Sequence, residues 1–514
     1  IPDENYWAAN APGLTNSSPL ETIQTVLDQL LPGNSELNTE FDNSMIEFSD
    51  LKLSLIGSLK WSVNKMVQLL KPRRTLRPRL RTSCAPPRQA TTTQALLSLN
   101  KRNLGANHVA APASYTDFAE QAFEHMMDVF AVSNWRQRLA KMDKIVPNEK
   151  DALTWLQFQN PSTIRALEKM DPAYVLQYVK EHISDYEFIL KSEPKVATDT
   201  KPQTNYATVQ TVMFHKKEVN AFFGPMIREA DIRFRSLLRP EVLYNKGKNL
   251  DQIEEFLNQA YMPAMGNVIV ENDFSDYDRS QEKVAFALDK VMLSKLGLNA
   301  EDLDTWMAGH YRSTNFAYSL GLVVYLQYQR KSGDVTTAFG NTVLNMTALA
   351  WSLKLKAHEV ICAMFLGDDS WYQLMDSPSL RGRIKECSTQ IALNFNGDAK
   401  TAYFDRGYFC GYYILEVDGR VYMAADPVKR AVKLGRWDIK DSSLIHENWV
   451  SFKDLMRNYD KELVQEELAK AVLERLPPSK RGAVKPLIES LNTLRLSYKE
   501  FANLWEQDIS TTVY

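Results

Sequence analysis
At 514 residues the chain is too long for one small core, and its 44% hydrophobic share is ordinary for a globular protein. Its 61 basic and 63 acidic residues give a formal charge of −2. That excludes a protein that coats polyanions by overall positive charge, so affinity for a polyanion must come from local patches. Cys84, Cys362, Cys387 and Cys410 are scattered without C-x-x-C spacing, so no zinc site is read and the thiols suit a reducing cytosol. No apolar run reaches the length of a membrane span.

The first residues, Ile1-Pro2-Asp3-Glu4, form neither a signal peptide nor an initiator Met, which predicts a segment of a longer polyprotein or readthrough product. Residues 1–50 are rich in Asn, Ser and Pro and hold one predicted helix, with Ser18 as N-cap, Pro19 next and Glu21 closing a capping box. An amphipathic stretch then leads into Lys71-Pro72-Arg73-Arg74-Thr75-Leu76-Arg77-Pro78-Arg79-Leu80-Arg81. Arg73, Arg74, Arg77 and Arg79 suit phosphate contacts; an exposed basic linker or a protein-docking arm reads equally from the residues. Residues 116–190 look helical, with Trp135, Trp155 and Leu156 as core candidates.

The run Val268-Ile269-Val270 predicts a buried strand, with Asp273 at its end and no local capping task. A helix is predicted to start near Arg279, with Val284, Leu288, Val291 and Met292 at helical spacing. Asp278 and Gln281 have the spacing of a capping box. Gln329 to Thr342 reads as a loop, made flexible by Ser332-Gly333, that enters a helix running from Val335 to about Leu355. Thr337, Asn341 and Asn345 share one face of that helix, a stripe suited to a ribose 2′-hydroxyl or simply to solvent. Gly340 in its interior costs about 1 kcal/mol relative to Ala and suggests close approach of another group or of a neighbouring helix.

Gly367-Asp368-Asp369-Ser370 lies between two apolar runs, a strand–turn–strand pattern with two carboxylates at its tip. Like charges side by side repel unless a cation neutralises them, though a solvated turn would read the same. If the hairpin lies beside the strand ending at Asp273, Asp273 and Asp368 can face one another. Together they can then hold two cations about 3.5–4 Å apart, the arrangement used for in-line phosphoryl transfer. Further on, Asp418-Gly419 between Tyr412–Val417 and Arg420–Met423 is a strong hairpin signal, and from Asp426-Pro427 the pattern is helical to the end.

Asp273 and Asp278, then Ser332-Gly333, Thr337 and Asn341-Thr342, then Gly367-Asp368-Asp369, resemble in order motifs A, B and C of viral RNA-dependent RNA polymerases. The likeness is strongest to the tobamovirus-like replicases of plant positive-strand RNA viruses, in the alphavirus-like supergroup. Ser275–Gln281, Gln329–Thr337, Gly340–Val343 and Tyr408-Phe409-Cys410-Gly411 resemble neighbouring stretches of that family. The clear resemblance covers about residues 185–440 and is weaker from Arg81 to Asn103.

The resemblance implies an α+β right-hand polymerase, with fingers, palm and thumb. An antiparallel palm sheet would carry the Gly367-Asp368-Asp369 hairpin, and fingers and thumb would be helical. The implied layout is an N-terminal extension and arm at 1–83, fingers at 84–267, palm at 268–299, a fingers insertion at 300–328, palm at 329–424 and thumb at 425–514. It implies Asp273, Asp368 and Asp369 as ligands of two Mg²⁺ ions, with Mn²⁺ as substitute, and Asp278 with Asn341 as reader of the 2′-hydroxyl. Ser332, Gly333 and Thr337 position template and nucleotide, Lys400 protonates the leaving pyrophosphate, and Lys191 and Lys195 lie over the triphosphate. Relatives often carry a further lysine where this chain has Ala197, and Lys201 stands near as a substitute. Implied partners are RNA template and product, NTPs, methyltransferase and helicase segments of the same replicase, and host membrane-associated factors. The implied location is the host cytoplasm, in replication complexes held at membranes through partners. Two other readings stay open: a noncatalytic RNA-binding scaffold of the same fold, and a reverse-transcribing or DNA-directed polymerase.

Overall fold
The computed structural model describes residues 17–32, 58–61, 73–84, 90–104, 114–169, 174–194, 196, 198, 208–263, 266–476 and 484–512. Lys195, Lys201, most of residues 1–50 and most of the amphipathic stretch before Lys71 lie outside the described residues, as do the side chains of Arg73 and Arg74.

A five-stranded sheet organises the chain. Its strands are β1 (Val242–Tyr244), β2 (Asn267–Ser275), β3 (Val360–Leu366), β4 (Asp369–Met375) and β5 (Asp398–Phe404), in the spatial order β5-β2-β4-β3-β1. Neighbours are antiparallel except β1, which runs parallel to β3, so the sheet is mixed rather than wholly antiparallel. Both faces are covered, which is why β2 and β3 read as nearly continuous apolar runs. Val268, Val270 and Phe274 enter one core, with helices Tyr115–Phe130, Lys217–Leu237 and α3 (Thr337–Ser352). Ile269, Met364 and Trp371 enter a second core on the other face, with the strands Tyr412–Val417 and Arg420–Ala425 and the C-terminal helices.

A second five-stranded sheet joins Ser58–Trp61, Leu322–Leu326, Ser313–Ala317, Asp185–Pro194 and Val209–His215. It packs a small core of its own, including Leu99, Phe188, Met213 and Leu322, partly beneath the helix Thr92–Arg102.

Several local expectations hold. Ser18 and Glu21 form the capping box, with bonds of 3.2 and 3.3 Å. Asp418 and Gly419 both take positive φ, 50° and 72°, as a two-residue hairpin turn with right-handed strand twist requires. Trp135 is buried.

Others are corrected. The helix expected near Arg279 is two pieces, α1 (Tyr277–Ser280) and α2 (Lys283–Lys295). Gln281 ends the first piece, and the Asp278 carboxylate accepts from Asn341, so the Asp278–Gln281 capping box does not form. Trp155 and Leu156 are only half-buried, and Trp155 lies over Gly224, where an added Cβ would stand 2.5 Å from its Nε1. The C-terminal region does not stay helical: Trp505–Thr512 is a strand paired antiparallel with Arg73–Pro78. The Arg-rich run is therefore a strand, with Leu76, Pro78 and Leu80 buried and Arg77 and Arg79 exposed.

Candidate active site
The turn between β3 and β4 consists of Gly367 and Asp368, with Leu366 opposite Asp369. Gly367 has φ +62°, a conformation that costs glycine little and other residues more. Two side chains of α3 hold the turn. Thr342 Oγ1 accepts from the Gly367 amide at 2.9 Å, and Asn345 Nδ2 donates to the Gly367 carbonyl at 3.0 Å and the Asp369 carbonyl at 3.3 Å. The polar stripe expected on this helix thus divides: Asn345 clamps the turn, and Thr337 donates to the Lys331 carbonyl at 2.5 Å.

The sheet register brings the carboxylates together. Ser370 pairs with Asn272, so the next step along both strands sets Asp369 against Asp273. On the other side of β2, Lys400 is the partner of Asp273. Directly opposite residues point to the same face, and Asp273, Asp369 and Lys400 are all exposed. Asp369 is open to solvent on one side. Enclosure by the surrounding chain raises its pKa, and the charges of Asp368 and Asp273 raise it further; the Cys410 thiol and Lys429 oppose this. Burial, then the Asp369 charge, raises the Cys410 thiol in turn.

Beside these carboxylates a cleft of about 310 Å³ is lined by Asp278, Asn341, Asp368, Ser332, Arg102 and Arg279, among others. Asn341 Nδ2 donates to Asp278 Oδ1 at 2.8 Å. Burial raises the Asp278 carboxyl, and Asn341 and Arg330 pull it back. The loop before α3 is pinned rather than flexible. The Gly333 amide donates to the Met213 carbonyl at 2.9 Å, Ser332 Oγ donates to the Thr211 carbonyl at 3.2 Å, and a Cβ on Gly333 would stand 2.8 Å from the Met213 oxygen. Arg330, Lys331 and Asp334 are buried. Lys331 donates to the Tyr328 and Gln329 carbonyls, and burial draws its ammonium down to about 7. Asp334 accepts from His310, and the His310 charge and hydrogen bond hold its carboxyl below the usual range against the opposing effect of burial.

Lys191 is exposed on Asp185–Pro194 and, like Arg77 and Arg79, is not among the residues lining the cleft. Sequence reading missed Arg102, Arg279 and Lys429. Arg102 is partly buried, which lowers its pKa, and the charges of Asp276 and Asp278 face it. Arg279 donates to the Lys101 carbonyl at 2.9 Å and so ties the end of Thr92–Arg102 to α1. No local signal separates these cations from solvated ones.

The donor set fits a divalent metal ion. Asp273, Asp368 and Asp369 offer hard oxygen ligands of one sign whose mutual repulsion a hard cation relieves. Among the described residues no three carboxylate, imidazole or thiol groups are drawn close enough to hold an ion by themselves. No helix among them is long and apolar enough to cross a membrane.

Comparison with known proteins agrees with this geometry. The chain is similar to the "Replicase large subunit" of Youcai mosaic virus, 31% identical over 461 residues, 88% of this chain and 27% of that protein. It is 30% identical over 483 residues to that of potato mop-top virus, 92% of this chain and 25% of the relative. To that of tobacco mosaic virus (strain OM) it is 30% identical over 435 residues, 82% and 25%. The chain therefore spans about a quarter of the length of these relatives. A family model described as RNA dependent RNA polymerase matches residues 48–504, which carry every carboxylate of the cleft, and the chain belongs to that family.

Proposed function
We propose that this chain is the polymerase segment of a positive-strand plant virus replicase, joining an RNA 3′-hydroxyl to the α-phosphate of a template-selected NTP. The observation that carries the proposal is a cleft lined by Asp368 and the hydrogen-bonded Asp278–Asn341 pair, beside the strand ends where the register sets Asp369 against Asp273. The mixed central sheet, its edge strand Val242–Tyr244 included, would be the palm, with the rest of 84–267 and 300–328 as fingers and 425–514 as thumb. That Leu322–Leu326 and Ser313–Ala317 share a sheet with Asp185–Pro194 supports grouping them.

Mg²⁺ ions held by Asp273, Asp368 and Asp369 would supply Lewis acidity at the attacking and leaving oxygens. The chain's own groups orient and neutralise. The Asp278 carboxylate and Asn341 amide take the ribose 2′-hydroxyl, which is both donor and acceptor. Lys400, the cross-strand partner of Asp273 on β5, holds a proton for the departing pyrophosphate. Arg102 and Arg279, which line the cleft, offer charge to the triphosphate; Lys191, outside that lining, and Lys195 would add to it. Methyltransferase and helicase segments, host membrane-associated factors and a cytoplasmic, membrane-held complex complete the proposed setting. Incorporation of radiolabelled NTP by the purified chain, with RNA template and Mg²⁺, tests the reading; a folded chain without incorporation points instead to a scaffold.

Sugar selection gives a sharper test. Asn341→Ala or Asp278→Ala removes a hydrogen bond involving a charged group, worth about 1.5–3 kcal/mol, so the NTP-over-dNTP preference should fall about 10–100-fold. Competition kinetics with ATP and dATP reads this directly. A preference unchanged in both variants would exclude the pair as the sugar reader.

The Arg-rich run gives a third expectation. Replacing Arg73, Arg74, Arg77 and Arg79 by Ala should flatten the slope of log affinity for single-stranded RNA against log salt by about 0.7 per lost phosphate contact. The loss should be similar for unrelated templates, since phosphate contacts carry no sequence information. An unchanged slope would leave the strand as a docking arm.

A further inference from the structure
Behind Asn341 lies a buried chain of polar groups. Asp289 holds the Arg330 guanidinium through two bonds, Nη1 to Oδ2 at 2.6 Å and Nη2 to Oδ1 at 3.1 Å. Arg330 Nε donates to Gln281 Oε1 at 2.8 Å. Gln281 Nε2 donates to Asn341 Oδ1 at 2.8 Å, and Asn341 Nδ2 donates to Asp278 Oδ1 at 2.8 Å. Asp289, Arg330 and Gln281 are each at most 3% exposed, so water does not compete for these bonds.

The direction of every bond in this chain is fixed from its two ends. A guanidinium only donates, and an ionised carboxylate only accepts. Arg330 therefore turns the Gln281 oxygen toward itself, which leaves the Gln281 NH₂ for Asn341. That turns the Asn341 oxygen toward Gln281 and its NH₂ toward Asp278. By valence, one hydrogen on Asn341 Nδ2 and one lone pair on Oδ1 remain for a ligand in the cleft. The surroundings hold the frame still. An added Cβ on Gly340 would stand 2.7 Å from Arg330 Nη2, so only glycine lets the guanidinium lie against α3. The Phe286 ring lies 5.2 Å from the guanidinium carbon, and Tyr277 Oη donates to the Asn341 carbonyl at 2.8 Å.

We propose that Gln281 is a positioning residue for sugar selection: relayed from the Asp289–Arg330 pair, it sets which way the Asn341 amide faces the nucleotide. This rests on the reading of Asp278 and Asn341 as the 2′-hydroxyl site. In Gln281→Glu the side chain still accepts from Arg330, so the fold retains that anchor. It has no hydrogen for Asn341 Oδ1, and the two oxygens repel, freeing the amide to turn over. Gln281→Met keeps the length and removes both bonds.

The experiment compares kcat/KM for ATP and dATP on one RNA template in the wild-type chain, both Gln281 variants, Asn341→Ala and Asp278→Ala. Thermal melting and RNA affinity are measured alongside. The ATP-over-dATP ratio is expected to fall about 10-fold in Gln281→Glu and Gln281→Met, as for loss of one buried hydrogen bond, with RNA affinity unchanged. A merely structural role would lower the melting temperature and leave the ratio alone. Should Gln281→Met lose its cooperative melt, the ratio in Gln281→Glu decides. Wild-type ratios in the Gln281 variants beside reduced ratios in Asn341→Ala and Asp278→Ala overturn the relay and leave the sugar site standing. Wild-type ratios in all four overturn the sugar site itself, and the relay with it.

Discussion

Asp368→Asn is expected to lower nucleotide incorporation by about 10³-fold or more while leaving the fold intact. The change removes one anionic ligand and its charge but keeps the shape of the side chain. Electrostatic groups at a reacting centre typically carry effects of about 10²–10³-fold, and a carboxylate that would hold Mg²⁺ belongs at or beyond the upper end. The turn itself should survive, because Thr342 and Asn345 hold Gly367 and Asp369 through backbone atoms that the substitution does not touch. Melting temperature should therefore stay within a few degrees, about what 1 kcal/mol would move. Asp369→Asn should be milder, since Cys410 and Lys429 already offset part of that carboxylate's charge. An Asp368→Asn protein with wild-type turnover in Mg²⁺ would remove the metal assignment.

The largest effect on stability is expected at Asp289. The Arg330 guanidinium has no exposed surface, and Asp289 is its bidentate partner. Burial works against the charge of Arg330, and the Asp289 charge and hydrogen bonds more than restore it. Asp289→Ala strands a buried cation, a change that costs about 3–5 kcal/mol. Denaturant unfolding should show that loss as an earlier midpoint. The double replacement Asp289→Leu with Arg330→Met should recover most of the stability, since apolar groups of similar volume often replace buried ion pairs without loss. It should not recover sugar selection, because Gln281 would then lack its donor. A single Asp289→Ala cost below about 1 kcal/mol would mean that water or another acceptor reaches Arg330.

The parts of the site that were legible in the sequence are those encoded within a few residues. Gly367 marks a turn because its φ of +62° favours glycine, and the apolar runs around it form β3 and β4 as read. Asp273 falls at the exposed end of β2 because Val268, Ile269 and Val270 bury the start of the same strand. The Asp418-Gly419 hairpin and the Ser18 cap follow the same logic. Gly340 was flagged as a close-approach position, and the structure supplies the approaching group, the Arg330 guanidinium.

What failed were expectations about groups whose partners are distant in sequence. Asp278 and Gln281 have capping-box spacing, but each found a stronger partner in Asn341, some 60 residues on. Gln329 to Thr342 reads as a loop with a flexible entry at Ser332-Gly333, yet Arg330, Lys331 and Asp334 are buried because Asp289, backbone carbonyls and His310 satisfy them. The C-terminal strand was read as helix because its pairing with Arg73–Pro78, more than 400 residues away, leaves no local period to read.

The sequence by itself determined the kinds and order of the groups in the candidate site: three carboxylates, an Asp–Asn pair, and the glycine turn that presents two of the acids. Those depend on local backbone preference and on strand periodicity, which few-residue patterns carry. Only the tertiary structure decided that Lys400 stands across from Asp273, that the Lys429 charge acts on Asp369, and that Asp289, Arg330 and Gln281 form a directed chain ending at Asn341. The physical reason is that a buried donor or acceptor takes whichever partner the packing of two covered sheet faces brings within hydrogen-bond distance, and that distance is set by the whole fold.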